Sequence, residues 1–195
     1  MSDATHRLFE LDRYWIRRKF WTLFGASFHV YTADDQLLGF TRQKAFKLKE
    51  DIRVFEDEAM SKPLMTVQAR QIVDFSAAYD MVDAAEGSKV GATRRKGWTS
   101  ILRDAWEVLD ANDQPVASVK EDSGGLALVR RFLTNLVPQR FDVKDMNGRS
   151  IATFKQRFNP FIHKLDVTIH DRTAVDPRVL FGAAVLISAI EGRQG

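Results

Sequence analysis

The chain has 195 residues, of which 45% are apolar and 28% charged, a composition typical of a folded protein with one sizeable core. Its net charge of +3 permits contact with anionic partners without requiring it. The absence of cysteine excludes disulfides, zinc–thiolate sites, thiolate catalysis and palmitoylation.

The N-terminal residues contain no long apolar stretch behind a basic cap, so no secretory signal is predicted and the expected compartment is the cytoplasm. We predict a short N-terminal arm over residues 1–13 and a single domain over residues 14–195. The reason is that no stretch rich in Ser, Gly and Pro divides the chain.

Four segments share one pattern and are predicted to be β-hairpins of the same design. Each begins with an aromatic residue, has an apolar residue two positions later, and continues through a turn pair to another apolar residue. The alternation is typical of a strand, and the turn pairs tolerate positive φ. The segments start at Phe28, Tyr79, Trp106 and Phe141, and their turn pairs are Asp34–Asp35, Glu86–Gly87, Asn112–Asp113 and Asn147–Gly148.

The fifth position of these segments is Asp in three copies, namely Asp83, Asp110 and Asp145, and Thr32 in the first. Repetition of a residue at equivalent places indicates a role in folding, since an active site would ordinarily use one copy. Further alternating strands are predicted around residues 46–54 and 65–69, whereas residues 124–138 fit either a short helix or a strand. The total is ten to twelve strands, a number that forms either a sandwich or a barrel.

The most apolar stretch, Val179 to Ile190, is predicted to be a helix over about residues 177–191. Asp176 is a suitable N-cap, Pro177 suits the first helical position, and Gly192 is a stop signal. Such a helix is about 22 Å long, too short for a hydrocarbon core of about 30 Å, so no transmembrane segment is predicted. Because it has no polar face, we expect protein to surround it.

The hairpin repeats, the stretch "RKGWTSILRDAWEVLDANDQPVASVKEDS" and the final apolar helix together resemble the LURP-one-related family. That family groups with the tubby C-terminal domains and the phospholipid scramblases, and the resemblance extends from about Tyr14 to Gln194. It implies a mainly β fold, a closed barrel of about twelve antiparallel strands around a central C-terminal helix. It implies no established activity.

The resemblance to the tubby branch implies binding of phosphoinositide headgroups by basic strand residues. Here the candidates are Arg42, Lys44, Lys47, Lys49, Arg94, Arg95 and Lys96. A second basic stretch, "IRRK" at 16–19, follows Trp15. Aromatic residues beside such clusters suit a membrane surface, although cations also protect strand edges from unwanted pairing.

The resemblance to the scramblase branch implies an acidic calcium segment before the helix, and the residues in that place are Asp166, Asp171 and Asp176. Their spacing of five does not match the close alternating ligands of a calcium loop. The four histidines lack metal-site spacing, and no catalytic or nucleotide-binding motif occurs, so we expect no metal, no cofactor and no enzyme.

The expected function is a binding module for an anionic lipid headgroup or membrane surface, or for a protein partner; nucleic acid is not expected. Lipid transport of the scramblase type is the alternative, and an enzyme with an unrecognised site is a third.

Overall fold

The computed structural model describes residues 6–19, 25–44, 51–70, 78–95, 105–121, 138–159 and 162–191. Twelve strands make up most of these residues. They are β1 (Arg13–Lys19), β2 (Gly25–Thr32), β3 (Leu37–Lys44), β4 (Asp51–Phe55), β5 (Pro63–Ala69), β6 (Ala78–Asp83), β7 (Lys89–Arg95), β8 (Ala105–Leu109), β9 (Pro115–Glu121), β10 (Arg140–Asp145), β11 (Ser150–Arg157) and β12 (Lys164–Ile169).

The sheet is a closed antiparallel barrel. Each strand pairs with the next along the chain, and β12 pairs with β1, where Ile16 lies opposite Leu165. Alternate side chains of each strand point inwards, as Leu165, Val167 and Ile169 do in β12. The mainly β fold and the closed barrel of about twelve strands are therefore confirmed.

The four predicted hairpins are confirmed as β2–β3, β6–β7, β8–β9 and β10–β11. Positive φ falls on the second residue of every predicted turn pair, at Asp35, Gly87, Asp113 and Gly148. The repeated Asp carboxylates accept backbone N–H groups within their turns: Asp83 from Ala85 and Glu86, Asp110 from Asn112 and Gln114, and Asp145 from Asn147 and Arg149. Thr32 Oγ1 accepts the Gln36 N–H in the same way. Their role in folding is thus confirmed.

The predicted C-terminal helix is α1 (Pro177–Glu191), and it lies inside the barrel. Asp176 Oδ1 accepts the Arg178 N–H at 2.9 Å, which caps its first turn. Every residue from Val179 to Ala189 is buried, because the barrel wall surrounds the helix. No helix in the described part of the chain combines the length and hydropathy needed to cross a membrane.

Two glycines allow α1 to approach the barrel wall closely. A Cβ at Gly91 of β7 would lie 2.6 Å from Leu109 O and 2.6 Å from a methyl carbon of Val179. A Cβ at Gly182 of α1 would lie 2.7 Å from the sulfur of Met81. Both distances are too short for a side chain without rearrangement, so the barrel and the helix fit together at these two positions.

The end of the barrel where α1 begins is closed by a short 3₁₀ helix, Arg7–Glu10, within the predicted N-terminal arm. Its Leu8 and Phe9 are buried, and the Phe9 ring meets the Phe181 ring edge-on at 5.7 Å between centroids. Arg172 donates a hydrogen bond to the Phe9 carbonyl at 2.5 Å. This end also carries the tight hairpin turns, and we call it the turn end.

Three predictions fall outside the described residues. They are the first part of the strand predicted around residues 46–54, the ambiguous segment 124–138 almost entirely, and the stop signal at Gly192.

Candidate anion-binding wall

The outer faces of β11, β12 and β1, three adjacent strands that the structure describes in full, carry six cations and one carboxylate. Strand alternation places these side chains away from the core. We call this surface the basic wall. Its cations are Lys155, Arg157, Lys164, Arg13, Arg17 and Lys19, and its carboxylate is Asp166.

Three of these cations form a row across the strands. Lys164 lies opposite Arg157 on one side and opposite Arg17 on the other. Residues directly opposite in an antiparallel pair have Cα atoms about 5 Å apart, and like charges at such positions destabilise the sheet. The row therefore costs stability, and recognition of an anion would account for it.

Trp15 supports this row from β1. Its indole stacks on Tyr31 of β2, with ring centroids 4.4 Å apart. The guanidinium carbon of Arg157 and the Nζ of Lys164 each lie 5.0 Å from the Trp15 ring centroid. Trp15 Nε1 donates a hydrogen bond to Asp35 Oδ1 at 3.0 Å, which fixes the ring. Each cation–π contact contributes about 0.5–1 kcal/mol at an exposed site, so both cations are oriented by one aromatic ring.

Asp166 compensates only part of this charge. The Arg157 guanidinium contacts it through Nη2 at 2.6 Å and Nε at 2.8 Å, and this hydrogen bonding raises the pKa of Arg157. Among the described residues, Lys164 and Arg17 have no ion pair. The charge of Asp35 also acts on Arg157, so the row carries three positive charges against two nearby carboxylates, of which only Asp166 forms an ion pair with it.

The wall ends at β2, where a carboxylate is already engaged. His29 lies opposite Arg17, is buried, and contacts Glu58 from the β4–β5 turn. The hydrogen bond from His29 holds the pKa of Glu58 below its usual range. Glu58 therefore stays ionised, and its carboxylate is hydrogen-bonded to His29.

Of the sequence-predicted binding residues, the structure describes the side chains of Arg42, Arg94 and Arg95, and these three do not form one cluster. Arg94 on β7 forms a 2.6 Å ion pair with Glu107, whereas Arg95 points inwards, 5.8 Å above the Trp106 ring. Arg42 is exposed on β3, with β4, β5 and β6 between it and β7. Lys44 is the last residue of β3, and Lys47, Lys49 and Lys96 lie outside the described residues. A headgroup site built from these residues stays a prediction.

The acidic residues before α1 serve local structure. Asp166 pairs with Arg157, Asp171 accepts the Thr173 N–H at 2.9 Å, and Asp176 caps the helix. Across the described ranges, no three His, Asp or Glu side chains are grouped as metal ligands.

The buried imidazole of His163 also has a shifted pKa. His163 precedes β12, and its carbonyl accepts the Arg18 N–H at 3.0 Å. Burial, together with the positive charge of Arg18, lowers the pKa of His163 to about 4. The imidazole is therefore neutral at physiological pH and adds no charge to the end of the barrel opposite the turn end.

Fold and surface together define a helix-filled β-barrel with an aromatic-supported cationic wall. The chain matches the family described as LURP-one-related over residues 37–188, more than three quarters of its length. It therefore belongs to the LURP-one-related family, as the sequence resemblance predicted. No curated protein matches the sequence.

Proposed function

We propose that this protein is a non-enzymatic cytoplasmic module whose basic wall binds an anionic lipid surface. The observation that carries the proposal is the row Arg157–Lys164–Arg17, three cations on directly opposed positions of adjacent strands. Two of them, Arg157 and Lys164, lie over Trp15. The cytoplasmic leaflet is anionic and attracts each nearby Lys or Arg by about 1 kcal/mol. An array of outward-facing cations on adjacent strands suits such a surface.

The burial of α1 favours surface docking over lipid transport. A scramblase-type activity would require α1 to leave the barrel and expose Val179 to Ala189, all of which are buried. Docking through the wall leaves the core intact, because the cations already face outwards.

Vesicle co-sedimentation tests the proposal. We expect the protein to bind vesicles containing anionic phospholipid and not vesicles of neutral phospholipid. Binding should be strong at about 0.1 M salt and weak at about 1 M, where the screening length falls from about 10 Å to about 3 Å. Absence of binding to anionic vesicles at low salt would refute the proposal.

Matched charge variants locate the binding surface. The double variant Arg17→Gln/Lys164→Gln removes two charges from the wall, and we expect roughly 30-fold weaker binding. The control, Lys62→Gln/Lys120→Gln, removes the same charge from exposed positions outside the wall and should bind like the wild type. An equal loss in both would show that net charge, and not the wall, attracts the protein. Arg94→Gln tests the site predicted from the sequence.

A further inference from the structure

The described residues include three large apolar side chains that are exposed: Leu37, Met146 and Phe158. Leu37 and Met146 lie at the turn end, next to the β2–β3 and β10–β11 turns. Phe158 is 60% exposed and follows β11 at the opposite end of the barrel. It is thus the one exposed apolar side chain of this kind that the described residues place there.

Phe158 is adjacent to the cationic row. It directly follows Arg157, and the connection that it begins returns to the barrel at Lys164, opposite Arg157. Arg17 continues the row on β1, and Lys19 lies two residues further towards the same end. An exposed aromatic residue and a row of cations on three adjacent strands therefore lie at the same end of the barrel.

This combination matches the chemistry of a bilayer surface. Cations interact with phosphate groups at the headgroup level, and aromatic rings are favoured at the boundary between headgroups and acyl chains. The strength of attachment to a bilayer surface increases with the apolar area buried and with the electrostatic attraction to anionic lipids, so the ring and the cations both contribute. The long side chains of Arg157 and Lys164 can keep their charges at the headgroups while the neighbouring ring enters more deeply.

We propose that the barrel meets the anionic bilayer with the β11–β12 end downwards, so that Phe158 inserts below the headgroups while the row Arg157–Lys164–Arg17 contacts the phosphates. This inference rests on the proposed function and adds the orientation and an apolar insertion. The turn end, with Met146, faces away from the membrane.

Single-cysteine labelling tests the orientation, because the chain has no cysteine of its own. Phe158→Cys and Met146→Cys are each labelled with an environment-sensitive fluorophore and mixed with anionic vesicles. Met146 is a matched control, since it is 68% exposed and lies at the other end of β11. We expect the label at position 158 to shift to the blue and the label at position 146 to stay unchanged.

Phe158→Ala measures the apolar contribution. Burying most of a Phe side chain corresponds to roughly tenfold tighter binding, so Phe158→Ala should bind anionic vesicles about tenfold more weakly. The loss should persist at about 1 M salt, where charge interactions are screened. Met146→Ala should bind like the wild type, and both variants should keep the wild-type Tm because the two side chains are exposed.

The outcomes separate this inference from the proposed function. If the wild type binds and Arg17→Gln/Lys164→Gln weakens binding, but position 158 gives no shift and Phe158→Ala binds normally, the insertion is overturned and the proposed function stands. A shift at position 146 in place of position 158 also overturns the orientation. If the wild type does not bind anionic vesicles at all, both proposals fail.

Discussion

Replacement of Gly91 by Ala tests how tightly α1 fits inside the barrel. The new methyl group would lie 2.6 Å from the backbone oxygen of Leu109 and 2.6 Å from a methyl carbon of Val179. Leu109 belongs to β8, whose backbone is paired on both sides, so it cannot retreat without disturbing two ladders. Overpacking of this kind costs about 1–3 kcal/mol. For a chain of this length a loss of about 2 kcal/mol lowers Tm by roughly 4–8 °C.

Gly182→Ala is the matched control, because it places the same methyl group on the helix side of the same interface. Its Cβ would meet the Met81 sulfur and terminal methyl at 2.7 and 2.8 Å, and these atoms belong to a flexible side chain that can move. Alanine is also more favourable than glycine in a helix interior, by about 1 kcal/mol. We expect a Tm near that of the wild type by thermal denaturation. A wild-type Tm for Gly91→Ala, or the same decrease in both variants, would refute the close fit at β7.

Three further predictions concern the core and the turns. His163 takes up a proton near pH 6.5 in the unfolded chain but only near pH 4 in the folded protein, so its contribution to the free energy of unfolding is fully present above pH 6.5 and is lost as the pH falls towards 4. Denaturant titrations at pH 6.5 and pH 4 measure this loss, and His163→Gln should reduce it by up to about 3 kcal/mol. The same loss in His163→Gln as in the wild type would contradict this assignment. Asp145→Ala should lower Tm, whereas Asp145→Asn should lower it less because it keeps an acceptor for the Asn147 and Arg149 N–H groups. Equal Tm values for the two variants would argue against a stabilising role of these two hydrogen bonds. Gly182→Arg buries an unpaired charge and should yield insoluble protein, so a stable soluble variant would contradict the position of α1.

The hairpins and the helix could be predicted because their causes are local. Asn147-Gly148 provides both the positive φ and the turn, and Asp145 two residues earlier supplies the acceptor for the turn N–H groups. Asp176 and Pro177 mark the start of α1 in the same way. The β4–β5 turn shows the limit of such signals, because its positive φ falls on Met60, which is not a typical turn residue.

The basic wall could not be predicted as one surface, because it depends on the closure of the barrel. Arg17 and Lys164 come from opposite ends of the sequence and meet only through the pairing of β1 with β12. Conversely, the adjacent Arg94 and Arg95 resemble a cluster in the sequence, yet strand alternation sends them to opposite faces of β7. Neighbouring residues of one strand point to opposite faces of the sheet, whereas the pairing of two strands places residues that are distant in the sequence side by side.

The same closure explains how the protein can retain a repulsive row. The repulsion is on the order of 0.2–1 kcal/mol for each directly opposed pair, and the buried helix and barrel interior stabilise the fold independently of it. Binding and stability should therefore respond to Arg17 in opposite directions. Arg17→Gln should raise Tm slightly while weakening attachment to anionic vesicles, the pattern expected when a residue is kept for recognition at some cost in stability. If Arg17 had a purely structural role, Arg17→Gln would lower both Tm and binding to anionic vesicles.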